Sequence, residues 1–308
     1  MKIAILTGGV GGSKLALGFY RVTDPSDLTM IVNTGDDVVM HGLHVSPDPD
    51  ILIYTLADAV NPETGWGFRE ESFRVAEGLK LYGRETWFRL GDRDLATHIH
   101  RTAMLRDGAT LSETIDSVVR SLGVQSRILP MSDDPVPTML ETDEGRMHLQ
   151  DYFVRRRCEP NLRSIQFEGA SKARPGAGVI EAIEGAELIV IAPSNPLISI
   201  GPVLAIAEIR KTLCRNRERV IAVSPLIGGK SLKGPSDKMM AELGYDVSCV
   251  GVARLYAEVC ATMVIDPADA DQRFSVEALN IRPVVRPTLM QTLADKQRLA
   301  RAILDIRL

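Results

Sequence analysis

With 308 residues, 45% of them hydrophobic and 25% charged, the chain has the composition of a folded globular protein large enough for a sizeable core, which excludes disorder and low-complexity architecture. A net charge of -4 and a pI near 5.8 supply no global field for polyanions, so nucleic acid is not an expected partner; the one tight basic run, "VRRRCEP" at 154–160, reads as a solvated helix end. The chain opens on a strand-like segment in place of a signal peptide and holds no apolar stretch near the roughly 18 to 20 residues of a membrane span, so a cytoplasmic protein without a membrane partner is expected.

"KIAIL" (2–6) is an apolar strand without polar alternation, followed by four glycines in five positions, Gly8 to Gly12, and then a helical apolar period. Strand, glycine turn and helix start bring bare N–H groups and the positive end of a helix dipole to one point, which suits a phosphate. A P-loop is excluded by spacing, because Ser13 stands where its last glycine belongs and Leu15 follows Lys14. A dinucleotide fingerprint started at Gly9 and Gly11 meets Lys14 as its third glycine, and Asn33 stands where an acid would end the second strand, "LTMIVN" (28–33), so a nicotinamide oxidoreductase is disfavoured.

After that strand come "NTGDD" (33–37) and, thirteen residues beyond Asp37, Asp50 of "PDPD" (47–50). Loops at the carboxyl ends of neighbouring strands converge on one crevice, so these acids face the glycine loop, and carboxylates beside phosphate call for a cation, Mg²⁺ being the usual one. Asp36, Asp37 and Asp50 are the metal candidates; the competing role for each is to cap a turn. A mostly helical insertion is expected over about 60–165, with a hairpin at 138–150 turning at Glu144-Gly145. Within it, "WFRLGDRDLATHIH" (87–100) sets Trp87 and Phe88 beside Arg89, Asp92, Arg93 and Asp94, which suits a flat heteroaromatic ligand with a polar tail or, equally, a buried Trp with a salt-bridged helix cap. His98 and His100, two apart on a helix, point to different faces and do not share a metal.

The strand-and-helix rhythm resumes with "ELIVIAPS" (187–194) and "RVIAVSP" (219–225). Ser194 and Asn195, in the loop "APSNPLISIGP", can offer a hydroxyl and an amide to a base or phosphate, and Gly228, Gly229, Lys230 and Lys233 form a second candidate anion site or a surface loop. The last twenty-one residues (288–308) read as one amphipathic helix with Leu289, Leu293, Leu299, Ile303 and Ile306 near one face. The four scattered cysteines read as small core residues of a reducing compartment. The expected fold is a single α/β domain over 1–308, a Rossmann-like, mainly parallel sheet flanked by helices.

"GGVGGSKLALG", "NTGDD", "PDPD", "WFRLGDRD", "PMSDDPVPT" (130–138) and "APSNPLISIGP", in this order, resemble the 2-phospho-L-lactate transferases of deazaflavin coenzyme F-420 synthesis, from residue 1 to about 265. The resemblance implies that a guanosine diphospho-donor, carrying lactate or enolpyruvate, gives its phospho-acid part to the ribityl hydroxyl of the deazaflavin Fo and releases GMP. It implies Fo contacts at Asp50 and Arg89, with Trp87 beside them. It also implies guanosine-diphosphate contacts along Gly9, Val10, Gly11, Gly12, Ser13 and Lys14 and at Ser194 and Asn195, Mg²⁺ as cofactor, and a homodimer. On this reading Asp50 and Asp37 are catalytic: one carboxylate orients the Fo hydroxyl while Mg²⁺ on the acids bridges the diphosphate. The glycine loop and "NTGDD" also resemble nucleotide-sugar-binding regulatory proteins of the gluconeogenesis-factor type, which would bind without turnover and have no need of "WFRLGDRD".

Overall fold

The computed structural model describes residues 1–232 and 234–307, so Lys233 of the second candidate anion loop lies outside the described residues. Strands Ile3–Thr7 (β1), Leu28–Val32 (β2), Arg127–Pro130 (β3), Leu188–Ile191 (β4), Val220–Val223 (β5), Thr262–Ile265 (β6) and Arg282–Val285 (β7) pair in parallel in the order β7-β6-β5-β4-β1-β2-β3. This is the doubly wound order, and the chain reverses direction across the sheet between β1 and β4, where the loops leaving two adjacent strands part and leave a crevice.

Burial on both faces explains the apolar runs. Side chains alternate along each strand, so Ala4, Leu6, Ile189 and Ile191 enter one core and Ile3, Ile5, Leu188 and Val190 enter the other. The second core is closed by helices Gly9–Val22 (α1), Pro47–Leu56 (α2) and Leu111–Ser121 and by the C-terminal helix Leu293–Arg307, through Phe19, Leu52, Ile115 and Ile303 among others. The first is closed by helices between Val179 and Tyr256 and by a three-stranded antiparallel sheet in which Thr138–Thr142 lies between Gly145–His148 and Leu162–Phe167. Among the described residues no helix is long and apolar enough to cross a membrane.

Several boundaries differ from expectation. The helical part of 60–165 comprises the α-helices Arg74–Leu81, Asp92–Arg106 and Leu111–Ser121, after which β3 joins the main sheet beside β2 and the small sheet follows, with a π-helical turn at Asp151–Arg155 between its strands. "RILP" carries too few residues to show a strand's period against the helical text before it. The hairpin turns one residue earlier, at Asp143-Glu144, because Thr142 pairs with Gly145, whose φ of 102° ends the turn in a conformation glycine favours. "PDPD" is the first turn of α2, with its prolines where an unpaired N–H would otherwise stand. The C-terminal helix begins at Leu293, where Thr292 and Asp295 exchange side-chain-to-backbone hydrogen bonds (2.8 and 3.2 Å), and this leaves Leu289 outside it. Of the cysteines, Cys249 and Cys260 are buried but Cys214 is exposed, on the outer face of its helix.

α1 packs closely on the C-terminal helix: a Cβ added at Gly18 would stand 2.3 Å from the backbone carbonyl of Lys296, whereas one added at Gly78 meets nothing within 4 Å. Gly18→Ala is expected to lower the unfolding free energy by about 1 to 3 kcal/mol, since a backbone atom cannot yield as a side chain does. Gly78→Ala, in an exposed helix, is expected to raise it by about 0.5 to 1 kcal/mol. Denaturant melts of the two variants check both signs.

Candidate active site

At the head of the crevice β1 gives way to α1 through Gly8, whose N–H donates to Ser194 Oγ (3.2 Å) while the same hydroxyl donates back to the Gly8 carbonyl (2.8 Å). One buried side chain thus joins the loops leaving β1 and β4. The bare backbone there first admits the protein's own groups. A Cβ at Gly8 would lie 2.5 Å from Asp48 Oδ2, and one at Gly12 would lie 2.1 Å from Thr7 Oγ1 and 2.5 Å from Ser194 Oγ.

Asn33, at the end of β2, is the hub of the acidic cluster. Its side-chain N–H groups donate to Asp36 Oδ1 (2.8 Å), Asp48 Oδ2 (2.9 Å) and the Ile198 carbonyl (3.3 Å), and its own carbonyl accepts from the Gly35 amide (2.8 Å). A neutral amide therefore bridges two carboxylates where a dinucleotide fold would carry an acid. Burial pushes the Asp36 carboxyl well above the usual range, and the charges of Asp48 and Asp37 push it further. Burial raises Asp48 to about 6 although Asn33 and the Gly9 amide favour its charged form. Two desolvated carboxylates face the cavity at the start of α1.

The other two metal candidates are engaged differently. Asp37 Oδ2 accepts from His44 Nε2 (2.9 Å) and Ser46 Oγ (2.7 Å), and Asp37 does not line the cavity; it fastens the loop that carries it. Asp50 lines the cavity but is gripped by Arg101, which approaches both carboxylate oxygens. The reason lies in the helix: Asp48 and Asp50, two residues apart in the first turn of α2, point about 200° apart around its axis, one toward the glycine loop and one toward helix Asp92–Arg106 (α3). Asp50, Asp94 and His98 offer three ligand atoms within 4.8 Å of one another, yet the Arg101 guanidinium on Asp50 sets a positive charge at the same corner.

The cavity encloses about 700 Å³. Its polar end is walled by Gly8 to Gly11, Lys14, Asp36, Asp48, Ser194, Asn195 and Ser199, and its aromatic end by Tyr54, Trp66, Trp87, Phe88, Arg89 and Phe153. Trp87 meets Phe88 edge-on at 5.8 Å, and the Arg89 guanidinium lies 3.9 Å over the Phe73 ring. Asn195 spends its carbonyl on the amides of Leu197 (2.9 Å) and Ile198 (3.3 Å), shaping the loop it belongs to. Gly12 and Ser13 stand outside the wall, Gly12 beneath Thr7 and Ser194 and Ser13 donating its hydroxyl to the Gly9 carbonyl (2.9 Å). The second candidate anion loop is already served, because buried Asp269 accepts the Gly228 amide with both oxygens at 3.1 Å, and exposed Lys230 does not line the cavity. Sequence reasoning passed over Asp48 and Arg101. The helical phase of Pro47–Asp50 could have separated Asp48 from Asp50, but no local signal pointed to Arg101.

Residues 3–295 match the family model described as 2-phospho-L-lactate transferase CofD. The 2-phospho-L-lactate transferase of Methanosarcina mazei is 38% identical over 98% of this chain and 99% of its own, and that of Methanopyrus kandleri is 40% identical over 99% and 97%. A protein of Streptomyces griseus named phosphoenolpyruvate transferase is 39% identical over 99% and 98%. Among solved structures, a member of the UPF0052 family from Bacillus halodurans matches with a TM-score of 0.64 at 15% identity, covering 98% of both chains, which bears on the fold alone.

The raised carboxyl of Asp48 has a measurable signature in protein freed of divalent cations. Between the unfolded value of about 3.9 and the folded value near 6, the native state holds a proton that the unfolded chain has released, so this group's contribution to stability falls as pH rises through that window, by at most about 1.4 kcal/mol per unit. Urea unfolding of the wild type and of Asp48→Asn is therefore expected to show the wild type losing ground to the variant between about pH 4 and pH 6 and holding a constant difference above about pH 7.

Proposed function

This chain belongs to the 2-phospho-L-lactate transferase family, and on that premise we propose that it moves the phospho-acid part of a guanosine diphospho-donor onto the ribityl hydroxyl of the deazaflavin Fo, releasing GMP. The observation that carries the reading is the continuity of one cavity from a helix start beside two desolvated carboxylates to a wall of aromatic rings and Arg89. The polar end suits a diphosphate and the aromatic end a flat tricycle, and the bond to be exchanged lies between them.

In the transfer, the acceptor oxygen attacks the phosphorus that carries the three-carbon acid. A new P–O bond forms, the P–O bond to GMP breaks, and the hydroxyl proton passes to a carboxylate of the wall. Asp50, in the cavity wall, is the group that accepts the hydroxyl's hydrogen bond. The amides of Val10 and Gly11 at the start of α1, with Lys14 on the next turn, hold the diphosphate. Ser194 keeps that helix start in place, and Asn195 shapes the neighbouring loop. Little covalent help from the protein is needed beyond position and charge.

Magnesium fits Asp36 and Asp48, because they offer hard oxygen ligands bridged by a neutral amide and each raised by burial and neighbouring negative charge. When bound it supplies neutralisation of the diphosphate and of the departing GMP. This assignment replaces the trio Asp36, Asp37 and Asp50 with a pair in which Asp48 takes the place of the other two.

The direct test mixes the purified protein, Fo, Mg²⁺ and either the lactyl or the enolpyruvyl donor and weighs the product. A gain of one phospho-acid on Fo with equimolar GMP is expected with at least one donor; an intact donor at the end of the assay would leave a binding protein without turnover. Asp36→Asn and Asp48→Asn are expected to lower turnover by on the order of a hundredfold or more. Asp37→Asn, which touches only the loop fastening, is expected to stay within about tenfold.

A further inference from the structure

Arg101 has no established place in the site, yet among the described residues it is the largest side chain with no exposure at all. It stands on α3, one turn beyond His98, and spends its guanidinium on Asp50: Nη1 donates to Oδ2 at 3.1 Å and Nη2 donates to Oδ1. Nη1 also lies 3.4 Å from the His44 carbonyl and 3.3 Å from His98 Nδ1, while Nε has no partner. The His98 ring fills the space between two carboxylates, 3.7 Å from Asp50 and 3.5 Å from Asp94, and Asp94 accepts the Tyr54 hydroxyl at 2.8 Å.

Burying an arginine and an aspartate together removes two ions from water and gains little stability by comparison with apolar side chains of the same size. What the pair does supply is direction. A two-pronged guanidinium holds a carboxylate in one plane and one rotamer, and each oxygen keeps capacity for a further hydrogen bond. The same positive charge repels a divalent cation from Asp50, whereas Asp36 and Asp48 share the neutral amide of Asn33.

We propose that Arg101 is a positioning residue for the acceptor substrate: its fork fixes Asp50 in the cavity wall and reserves it for the acceptor's hydroxyl, leaving the cation to Asp36 and Asp48. The proposal rests on the transfer reading above and adds a division of labour among the acids. Loss of Arg101 frees Asp50 to rotate, so the acceptor suffers while the donor and the cation do not.

The test compares Arg101→Met, which keeps length without charge, and Arg101→Lys, which keeps charge without the fork. The readouts are Fo binding by fluorescence, GDP binding by calorimetry and the Mg²⁺ concentration for half-maximal turnover. Arg101→Met is expected to weaken Fo binding about tenfold or more, with GDP affinity and the Mg²⁺ midpoint within about twofold, and Arg101→Lys to recover part of the loss. The double variant Arg101→Met with Asp50→Asn is expected to bind Fo no more weakly than Asp50→Asn alone, because both changes remove one interaction. If Arg101→Met does not fold, as its GDP binding and thermal melt would reveal, Arg101→Lys carries the same comparison. Unchanged Fo binding in a folded variant, additive losses in the double variant, or a Mg²⁺ midpoint that moves with Fo affinity would each overturn the positioning role. Wild-type protein that binds no Fo would instead refute the acceptor reading itself.

Discussion

The crevice depends on how closely the start of α1 can approach the loop after β4, and that distance is set by a buried hydroxyl. Ser194 Oγ accepts from the Gly8 amide and donates to the Gly8 carbonyl, so two strands that diverge at their carboxyl ends stay tied at the point where their helices go to opposite faces. Such closeness requires that Gly8 and Gly12 carry no Cβ, because the space is filled by Asp48, Thr7 and Ser194. The glycine run is thus a packing device first, and the amides left facing the cavity follow from it.

Around this fixed point the protein handles its carboxylates in three distinct ways. Asp37 accepts hydrogen bonds from His44 and Ser46 on one oxygen and serves its loop. Asp50 is held by a buried guanidinium that offsets part of the burial raising its carboxyl, and it keeps a defined orientation. Asp36 and Asp48 receive an amide's hydrogen bonds, and burial drives both toward protonation. Two carboxylates in that condition beside a helix start are unfavourable in their charged form and become favourable with a cation or protons.

The aromatic end is built on other terms. Trp87, Phe88 and Arg89 come from the stretch leading into α3, and the same helix delivers Asp94, His98 and Arg101 behind them. One stretch of chain, 87–101, therefore carries both the aromatic wall and the clamp on Asp50.

The sequence by itself determined four of the seven strands of the main sheet, β1, β2, β4 and β5. Runs such as "KIAIL" and "ELIVIAPS" lack polar alternation along their strands because a parallel sheet is covered on both faces, and a glycine loop after the first strand with acids after the second meets at the carboxyl edge. Short-range periodicity also placed α1, α3 and the hairpin to within a few residues. What it could not decide were the partners of each acid, since Asn33, Asp48 and Ile198, or Asp50 and Arg101, are separated by 15 to 165 positions and meet only through the wound topology. Nor could it show that Asp269 already occupies the Gly228 amide or that β3 joins the main sheet, because both depend on contacts between distant segments. Local propensity and spacing are properties of the chain; charge compensation is a property of neighbours, and neighbours are chosen by the tertiary fold.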